Sequence, residues 1–294
     1  MLTGYDQRRR GKKQRRNTKM SEAHVIAFAN QKGGVAKTTS TIQVASWFAM
    51  KGKRVLIIDL DGQGHIAPGL GLEKSDGLYQ LINEKKDISD VVVSARKNLD
   101  VVTNSDKSTL VQKFIQEIEF DKQYFLDEIL EKPRSVYDVI FLDTAPSKDV
   151  LHMLALIATN TLVIPANMEF FALDGVEYIV RTLNDISKIR NVIPPYLAGI
   201  LPTMFDINTR LTIENAKNVE AAFGTEQTLP PIPHDVKIRE CISYGKTIWE
   251  LDPSCRGAIG YENLPGIRKN SAGRVGGYLH ISEMLDSIIE AGRK

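Results

Sequence analysis

The chain has few cysteines and no long apolar run, and these absences exclude several classes of protein. Its 294 residues include only two cysteines, Cys241 and Cys255, without C-x-x-C spacing. This argues against a disulfide scaffold or a zinc site and favours a reducing cytosol. No apolar run approaches the roughly 18 residues that a membrane-spanning helix requires, and the five histidines show no metal-ligand spacing. With 43% hydrophobic residues, the composition predicts a globular, cytoplasmic protein.

Basic residues are concentrated at the start of the chain. Residues 1–20 carry eight basic side chains against one acid, Asp6, although the whole chain has a net charge of only +2. The remainder is therefore mildly acidic. Because residues 1–22 also lack apolar periodicity, we expect a basic, flexible arm ahead of a single domain over residues 23–294. The basic residues of the arm are Arg8, Arg9, Arg10, Lys12, Lys13, Arg15, Arg16 and Lys19.

From His24 onward, strand-like and helix-like segments alternate. Six short segments rich in Val, Ile and Leu have the nearly continuous hydrophobicity of strands that are buried on both faces of a parallel sheet. They are Val25–Ala29, Val55–Leu60, Leu99–Thr103, Val139–Leu142, Thr161–Pro165 and Leu197–Leu201. The predicted helices between them are Thr38–Met50, Ser108–Ile118, Asp149–Ala158, Leu173–Ile189 and Thr209–Phe223. This alternation predicts an α/β fold, a doubly wound and mostly parallel sheet with helices on both faces.

The C-terminal part of the chain is less regular. Residues 254–277 are predicted to be a loop-rich insertion, because glycine and asparagine are frequent from Gly257 to Gly277. A final helix is expected at about Tyr278–Ala291, with an apolar stripe that packs on the core.

The first predicted strand runs into a glycine-containing loop, Asn30–Thr39, that a helix follows directly. Glycines let the backbone wrap an anion, and the amides of a helix N-terminus attract phosphate. In such a loop the lysine, here Lys37, contacts the β- and γ-phosphates, and the hydroxyl of Thr38 completes a magnesium site. The nucleotide-binding residues expected in the loop are Gly33, Gly34, Val35, Ala36, Lys37, Thr38 and Thr39.

Acidic residues stand at the ends of two other predicted strands. Asp59 and Asp61 have the spacing of two that places side chains on the same side of a strand. Acids that leave a buried strand are costly unless they meet cations or polar groups. Asp143 follows an apolar run, a Walker B pattern that holds magnesium through water. Capping the next helix is the alternative role for Asp143.

The loop departs from the ordinary G-x-x-x-x-G-K-[ST] motif and resembles K-G-G-x-x-K-[ST], the deviant Walker A motif of the ParA/MinD superfamily. This resemblance implies a P-loop NTPase fold with ATP and Mg²⁺ as ligands. It also implies that Lys32 is a signature lysine, which reaches across a dimer interface to the partner's nucleotide. Ala36 is a departure, since the family usually has glycine there.

The segment Asp59–Gly64 resembles the family's D-x-D-P-Q-G, with Gly62 in place of proline. The resemblance implies that Asp61 orients or activates the attacking water and that Asp59 supports the magnesium shell. It therefore gives a catalytic set of Lys32, Lys37 and Asp61 and a metal set of Thr38, Asp59 and Asp143.

Similarity to the superfamily extends from Ala23 to Asp252. Thr144–Ser147 resembles the D-T-P-P-S switch region. The segments 199–206 and 232–237 resemble the family's next strand end and the segment near its base pocket, which implies that Met204 and Pro233 contact the nucleotide. The basic arm and residues 254–277 lie outside the resemblance.

The resemblance favours a ParA-like ATPase that forms an ATP-dependent homodimer and binds DNA non-specifically. Such a protein positions plasmid, chromosome or protein cargo, and its slow hydrolysis is stimulated by a ParB-like or cargo-adaptor protein. We expect nucleoid association of the ATP-bound form, with DNA contacts from the arm. Further candidate contacts are Arg210, Lys237 and Arg239 on the folded body.

Two other classes of protein share the motif. A MinD-like, membrane-cycling ATPase is the alternative, but it requires a C-terminal amphipathic helix with a basic polar face. Here the last helix carries Glu283, Asp286 and Glu290, so membrane binding is not expected. A relative of the nitrogenase iron protein would need cluster-ligating cysteines in the nucleotide half of the chain, and both cysteines lie elsewhere.

Overall fold

A seven-stranded sheet with the order β3-β4-β2-β5-β1-β6-β7 organises the molecule. The computed structural model describes residues 22–118, 121–169, 172–264 and 267–293. The strands are β1 (His24–Phe28), β2 (Val55–Asp59), β3 (Val92–Arg96), β4 (Leu99–Val102), β5 (Val139–Asp143), β6 (Thr161–Asn167) and β7 (Tyr196–Thr203). All neighbouring strands are parallel except β3 and β4. The predicted fold class is therefore confirmed.

Helices connect these strands and cover the two faces of the sheet. They are α1 (Lys37–Met50), α2 (Ile66–Gly69), α3 (Gly77–Ile82), α4 (Ile88–Val91), α5 (Ser108–Gln116), α6 (Phe125–Ile129), α7 (Glu131–Val136), α8 (Val150–Ala158), α9 (Ala172–Ile186), α10 (Arg210–Phe223), α11 (Val236–Ser243), α12 (Ile248–Leu251), α13 (Arg256–Ile259) and α14 (Gly277–Arg293).

Two apolar cores lie on opposite sides of the sheet, because successive strand residues point to opposite faces. From β1, Val25 and Ala27 enter a core shared with α8 and α9, whereas Ile26 and Phe28 enter one shared with α1 and α14. Burial on both faces explains why the central strands read as continuous apolar runs. Because β1, β2 and β5 pair in parallel, their carboxyl ends lie along one edge of the sheet.

One strand was missing from the sequence prediction. β3 is a half-exposed edge strand that pairs antiparallel with β4 through a tight turn, in which Asn98 has a φ of 62°. An edge strand of this kind buries little, so it carries no apolar run. As a consequence, the strand that ends at Asp143 is the fifth of the sheet rather than the fourth.

The described residues of the predicted insertion, 254–264 and 267–277, include some regular structure. Helix α13 lies among them, and Tyr261 pairs with Val275 in an isolated bridge. The Asn270 side chain is 8% exposed; its Oδ1 accepts hydrogen bonds from the Ala272 and Arg274 amides. Buried side-chain bonds replace regular backbone pairing here, and sequence patterns do not reveal them.

The predicted arm lies outside the described residues, so its basic side chains have no structural description. Within the described part of the chain, no helix is long and apolar enough to cross a membrane.

Candidate functional site

The loop between β1 and α1 has the conformation of an anion cradle. Gly34 and Ala36 both adopt left-handed backbone angles, with φ of 72° and 65°. Ala36 is the N-cap of α1 but has no side chain that could bond the first amides, and the first turn contains no acid. These amides and the positive end of the helix dipole therefore remain available for a phosphate group.

Asn30 fastens the loop to the sheet. Its Nδ2 donates to the carbonyl of Pro165 on β6 at 2.7 Å, and its Oδ1 accepts from the Lys32 amide at 2.9 Å. A Cβ on Gly175 of α9 would come within 2.4 Å of that Oδ1, so only glycine lets α9 pack here. Sequence reasoning gave Asn30 no role, because Pro165 and Gly175, which it contacts, lie more than 100 residues away in the chain.

Lys37 lies inside the loop rather than in solvent. Its side chain is buried, and Nζ donates to the Lys32 carbonyl at 3.1 Å. Burial lowers the pKa of Lys37, while the charges of Asp143 and Asp61 oppose the shift. A desolvated ammonium that faces carboxylates at the mouth of an amide-lined loop is suited to binding a phosphate oxygen.

The ends of β2 and β5 bring Asp59, Asp61 and Asp143 together, as predicted. Asp59 and Asp143 are fully buried and Asp61 is 9% exposed. The Asp59 carboxylate accepts hydrogen bonds from the amides of Asp61 and Ile66, at 3.0 and 3.2 Å. Burial first, and then the charge of Asp143, raise the pKa of Asp59 well above its usual value. Among the described residues, Lys37 is a cation whose charge acts on Asp143 and Asp61, and a second positive charge would stabilise the group of acids.

Magnesium fits this arrangement on the evidence of the donor set. Thr38 Oγ1 donates to Asp143 Oδ2 at 2.7 Å, and Thr41 Oγ1 lies 3.4 Å from Asp143 Oδ1. Burial raises the pKa of Asp143, and the Thr38 hydroxyl opposes the shift. Among the described residues, no group of three or more His, Cys, Asp or Glu side chains is arranged to hold a metal ion alone. Mg²⁺ suits such a site, because it is held by one or two protein oxygens together with phosphate and water.

Gly62, which stands where the resemblance expects proline, packs against α5. A Cβ at this position would lie 2.1 Å from Ser108 Oγ and 3.1 Å from Ser108 Cβ. Ser108 is itself buried, so the absence of a side chain at position 62 follows from the close approach of α5 to the end of β2.

A cavity of about 500 Å³ opens beside the loop. Ala36, Thr39, Met204 and Pro233 are among the residues that line it. Apolar side chains with a few polar groups at the rim are typical of a pocket for a planar ligand. The cavity adjoins the helix N-terminus, so a nucleotide could place its base in the cavity and its phosphates in the loop.

Lys32 forms an ion pair within its own chain. Its Nζ lies 3.0 Å from Glu169 Oε2, with side-chain exposures of 31% and 61%. The other oxygen of Glu169 accepts from Asn167 Nδ2 at 2.8 Å. The sequence gives no local signal for this pair, because the two residues lie 137 positions apart in the chain.

Two of the three candidate DNA contacts on the folded body form ion pairs with acidic residues of the same chain. Arg210 pairs with Glu214 at 2.7 Å, and Lys237 pairs with Glu240 at 2.8 Å. Arg239 lines the cavity beside the loop. Two of the three charges are therefore compensated within the chain.

Replacing Ala36 with glycine should relieve strain in the loop. A left-handed alanine costs about 1 kcal/mol relative to glycine, although glycine also gains entropy in the unfolded chain. We expect Ala36→Gly to raise the free energy of unfolding by up to about 1 kcal/mol and to retain or improve nucleotide binding. Thermal unfolding and nucleotide titration measure both quantities.

Gly34→Ala is the matched control, because Gly34 shares the left-handed backbone and a Cβ there would meet no atom within 4 Å. It should shift stability in the opposite direction. A large loss of nucleotide binding in Ala36→Gly would show that the loop geometry described above is wrong.

The strand–loop–helix unit and the carboxylates on neighbouring strand ends define a P-loop nucleotide-binding protein. Comparison with known proteins agrees with this class. A family model described as an AAA domain matches residues 23–193. The chromosome-partitioning ATPase Soj of Treponema pallidum is 35% identical over 81% of this chain and 94% of its own length. The chromosome partitioning protein ParA of Caulobacter vibrioides is 34% identical over 82% and 91%. The chain therefore belongs to the ParA/Soj family of partitioning ATPases.

Solved structures show the same fold. The complex of Cyanothece McdA with ATP superimposes with a TM-score of 0.73, at 18% identity, over 83% of this chain and 99% of the other. Cobyrinic acid a,c-diamide synthase from Mycobacterium smegmatis, with a bound ATP analogue and magnesium, gives 0.67 at 29% identity over 76% and 91%.

Proposed function

We propose that this ParA-like ATPase forms an ATP-dependent sandwich dimer, binds DNA non-specifically and drives the partition or positioning of a cargo. The observation that carries the proposal is the convergence of Lys37, Thr38 and Asp143 at the mouth of the P-loop, beside a cavity of about 500 Å³. Hydrolysis by the chain alone is slow, and a ParB-like or cargo-adaptor protein stimulates it.

ATP occupies the loop and the cavity in this proposal. Residues 33–39 surround the phosphates, and Met204 and Pro233 contact the base. Thr38 and Asp143 would hold Mg²⁺ and Asp59 would support the site; when bound, the ion would neutralise charge on the phosphates. Asp61 orients the attacking water. Positioning and charge neutralisation supply most of the rate in such a reaction.

Dimerisation completes the site by adding Lys32 of the second chain. The Lys32–Glu169 pair is solvent-exposed, and exposed ion pairs of this kind contribute about 0–1 kcal/mol. Lys32 can therefore leave Glu169 and bind a nucleotide phosphate across an interface at a small cost in free energy. Exposed apolar side chains beside the cavity, Met204, Ile207 and Leu211, supply surface for such an interface.

DNA binding rests on the arm and on the basic residues of the folded body. Contacts with several phosphates give affinity without base specificity and a steep dependence on salt. The ion pairs of Arg210 and Lys237 are exposed, so DNA phosphates can compete for both cations.

The MinD-like alternative has less support from the C-terminal helix. Such a protein needs an apolar helix face that can enter a membrane surface. In α14 the residues Tyr278, Ile281, Leu285 and Ile289 are at most 2% exposed and belong to the core shared with α1. The apolar face of α14 is packed in the core and is not available to a membrane surface, which favours the DNA-binding proposal.

DNA binding measured without nucleotide, with ADP and with ATP tests the proposal. The samples are the intact chain, a chain lacking residues 1–20, the variant Lys32→Ala, and Lys188→Ala as a control on an exposed lysine elsewhere. We expect salt-sensitive binding that requires ATP and is lost in Lys32→Ala. Removal of the arm should weaken binding and flatten its salt dependence. No binding in any nucleotide state would overturn the DNA-binding proposal.

A further inference from the structure

Asn104 is a buried asparagine that contacts the loop carrying Asp61. It stands two residues after β4 ends, as Asp61 stands two residues after β2 ends, and the two strands are parallel neighbours. Asn104 is 1% exposed; its Oδ1 accepts from the Ser105 amide at 2.8 Å, and its Nδ2 donates to the Asp61 carbonyl at 3.1 Å. Because the Ser105 amide can only donate, it fixes the orientation of the side-chain amide. We call residues 61–64 the Asp61 loop and residues 104–108 the support loop.

The two loops also approach each other closely through their main chains. A Cβ on Gly64 would lie 2.4 Å from the Asn104 carbonyl oxygen, and Gly64 has a left-handed φ of 59°. At the other end of the support loop, a Cβ on Gly62 would lie 2.1 Å from Ser108 Oγ. Glycine at both positions therefore lets the support loop reach the main chain that carries Asp61.

The support loop is anchored at the start of α3, outside the Asp61 loop. Ser105 Oγ donates to Asp76 Oδ1 at 2.6 Å, and Lys107 forms an ion pair with the other oxygen of Asp76. The Ser108 amide donates to the Ser105 carbonyl at 3.2 Å, which closes a turn. The support loop therefore has bonds of its own that hold Asn104 in place.

Hydrogen bonds within the Asp61 loop set its shape. The Asp61 carbonyl accepts from the Gly64 amide at 2.9 Å, and Asp61 Oδ1 accepts from the Gln63 amide at 2.9 Å. Bonds of this kind do not set the position of the loop relative to the sheet, which requires a contact from outside the loop. The bond from Asn104 Nδ2 to the Asp61 carbonyl is such a contact, and it acts on the residue whose carboxylate faces the phosphate site.

We infer that Asn104 is a positioning residue for ATP hydrolysis, whose side-chain amide holds the Asp61 loop where the Asp61 carboxylate meets the attacking water. This inference rests on the role of Asp61 in the proposed function. Asn104 is buried and bonded within the two loops, so it acts through Asp61 rather than on the nucleotide. A displacement of about 1 Å at a positioned group can slow a reaction about 100-fold. Loss of the bond should therefore lower kcat and leave ATP binding by the loop before α1 unchanged.

The test measures kcat, the dissociation constant for ATP with Mg²⁺, and thermal unfolding of the full chain. Asn104→Ala removes the side-chain amide, whereas Asn104→Asp keeps an acceptor for the Ser105 amide but removes the donor to Asp61. Asn215→Ala is the matched control, because Asn215 is 9% exposed and its Nδ2 donates to the Met168 carbonyl, also at 3.1 Å. Met168 follows β6, which is separated from β2 by two strands of the sheet.

We expect both Asn104 variants to lower kcat about 10- to 100-fold with an unchanged dissociation constant for ATP. Asn215→Ala should lower the unfolding temperature by a similar amount and keep the kcat of the wild type. In an Asp61→Ala background, Asn104→Ala should cause no further loss of turnover, because the carboxylate through which it acts is already absent.

Three results would overturn the inference while the ATPase proposal stands. They are a wild-type kcat in both Asn104 variants, an equal loss of kcat in Asn215→Ala, and a loss of turnover that multiplies with that of Asp61→Ala. If Asp61→Ala itself hydrolyses ATP as fast as the wild type, the role of Asp61 in the proposed function fails, and the inference fails with it.

Discussion

Replacing Lys32 with alanine is expected to reduce ATP turnover by roughly 1000-fold, the smaller end of the effect of a cation supplied in trans to a phosphoryl-transfer site. In this chain the Lys32 ammonium forms only an exposed, weak ion pair with Glu169 at 3.0 Å, while its carbonyl accepts from Lys37. Its charge is therefore available to a second chain. Steady-state phosphate release measures the loss.

Glu169→Gln separates the role of Lys32 from that of its partner. This variant removes the ion pair but can keep the hydrogen bond from Asn167 to the side-chain carbonyl. We expect at least wild-type turnover and more dimer at a given protein concentration, measured by light scattering with ATP. If Lys32→Ala retained more than half of the activity, the trans site would be refuted.

Replacing Asp61 with alanine is expected to slow hydrolysis by about 100- to 10,000-fold while leaving ATP bound, because a positioned base contributes an effect of this size. Asp61 Oδ1 accepts from the Gln63 amide, and the Asp61 carbonyl accepts from Asn104 Nδ2, so the residue is fixed from both sides. If Asp61→Ala binds ATP but hydrolyses it slowly, the variant should accumulate as the ATP-bound dimer.

Two control variants test whether the loss of turnover in Asp61→Ala is due to the missing carboxylate charge. Asp61→Asn keeps the shape and the hydrogen bonds but not the charge, and it should be as slow as Asp61→Ala. Asp106→Ala removes an exposed acid from the loop that follows β4 and should be as active as the wild type. Equal loss of ATP affinity and turnover in Asp61→Ala would assign the residue to binding rather than to hydrolysis.

The sequence predicts those parts of the molecule whose determinants are local. The strands around β1 are apolar because both faces are buried, and the loop before Lys37 requires glycine-like angles. β3 escapes prediction because its side chains are half exposed. The arrangement of the described residues around Asn270 is not predicted either, because the Asn270 side chain supplies hydrogen bonds in place of backbone pairing.

The features of the site that the sequence does not predict depend on contacts between distant parts of the chain. The ion pair of Lys32 with Glu169 and the packing of Gly175 on Asn30 join residues that no periodic pattern relates. The three acids were found because their strands end on a common edge, which topology alone implies.

The position of β1 in the sheet has a consequence for biosynthesis. β1 pairs with β5, which lies more than 100 residues later, and with β6, which follows β5. A ribosome therefore produces the phosphate loop long before the strands that hold it, and loop closure of this length makes folding slow. A nascent chain released before β6 would contain every residue of the loop without the shape that binds a phosphate. ATP binding is thus expected only after β6 has been synthesised. Binding of ATP by a nascent chain can therefore report that synthesis has passed this strand.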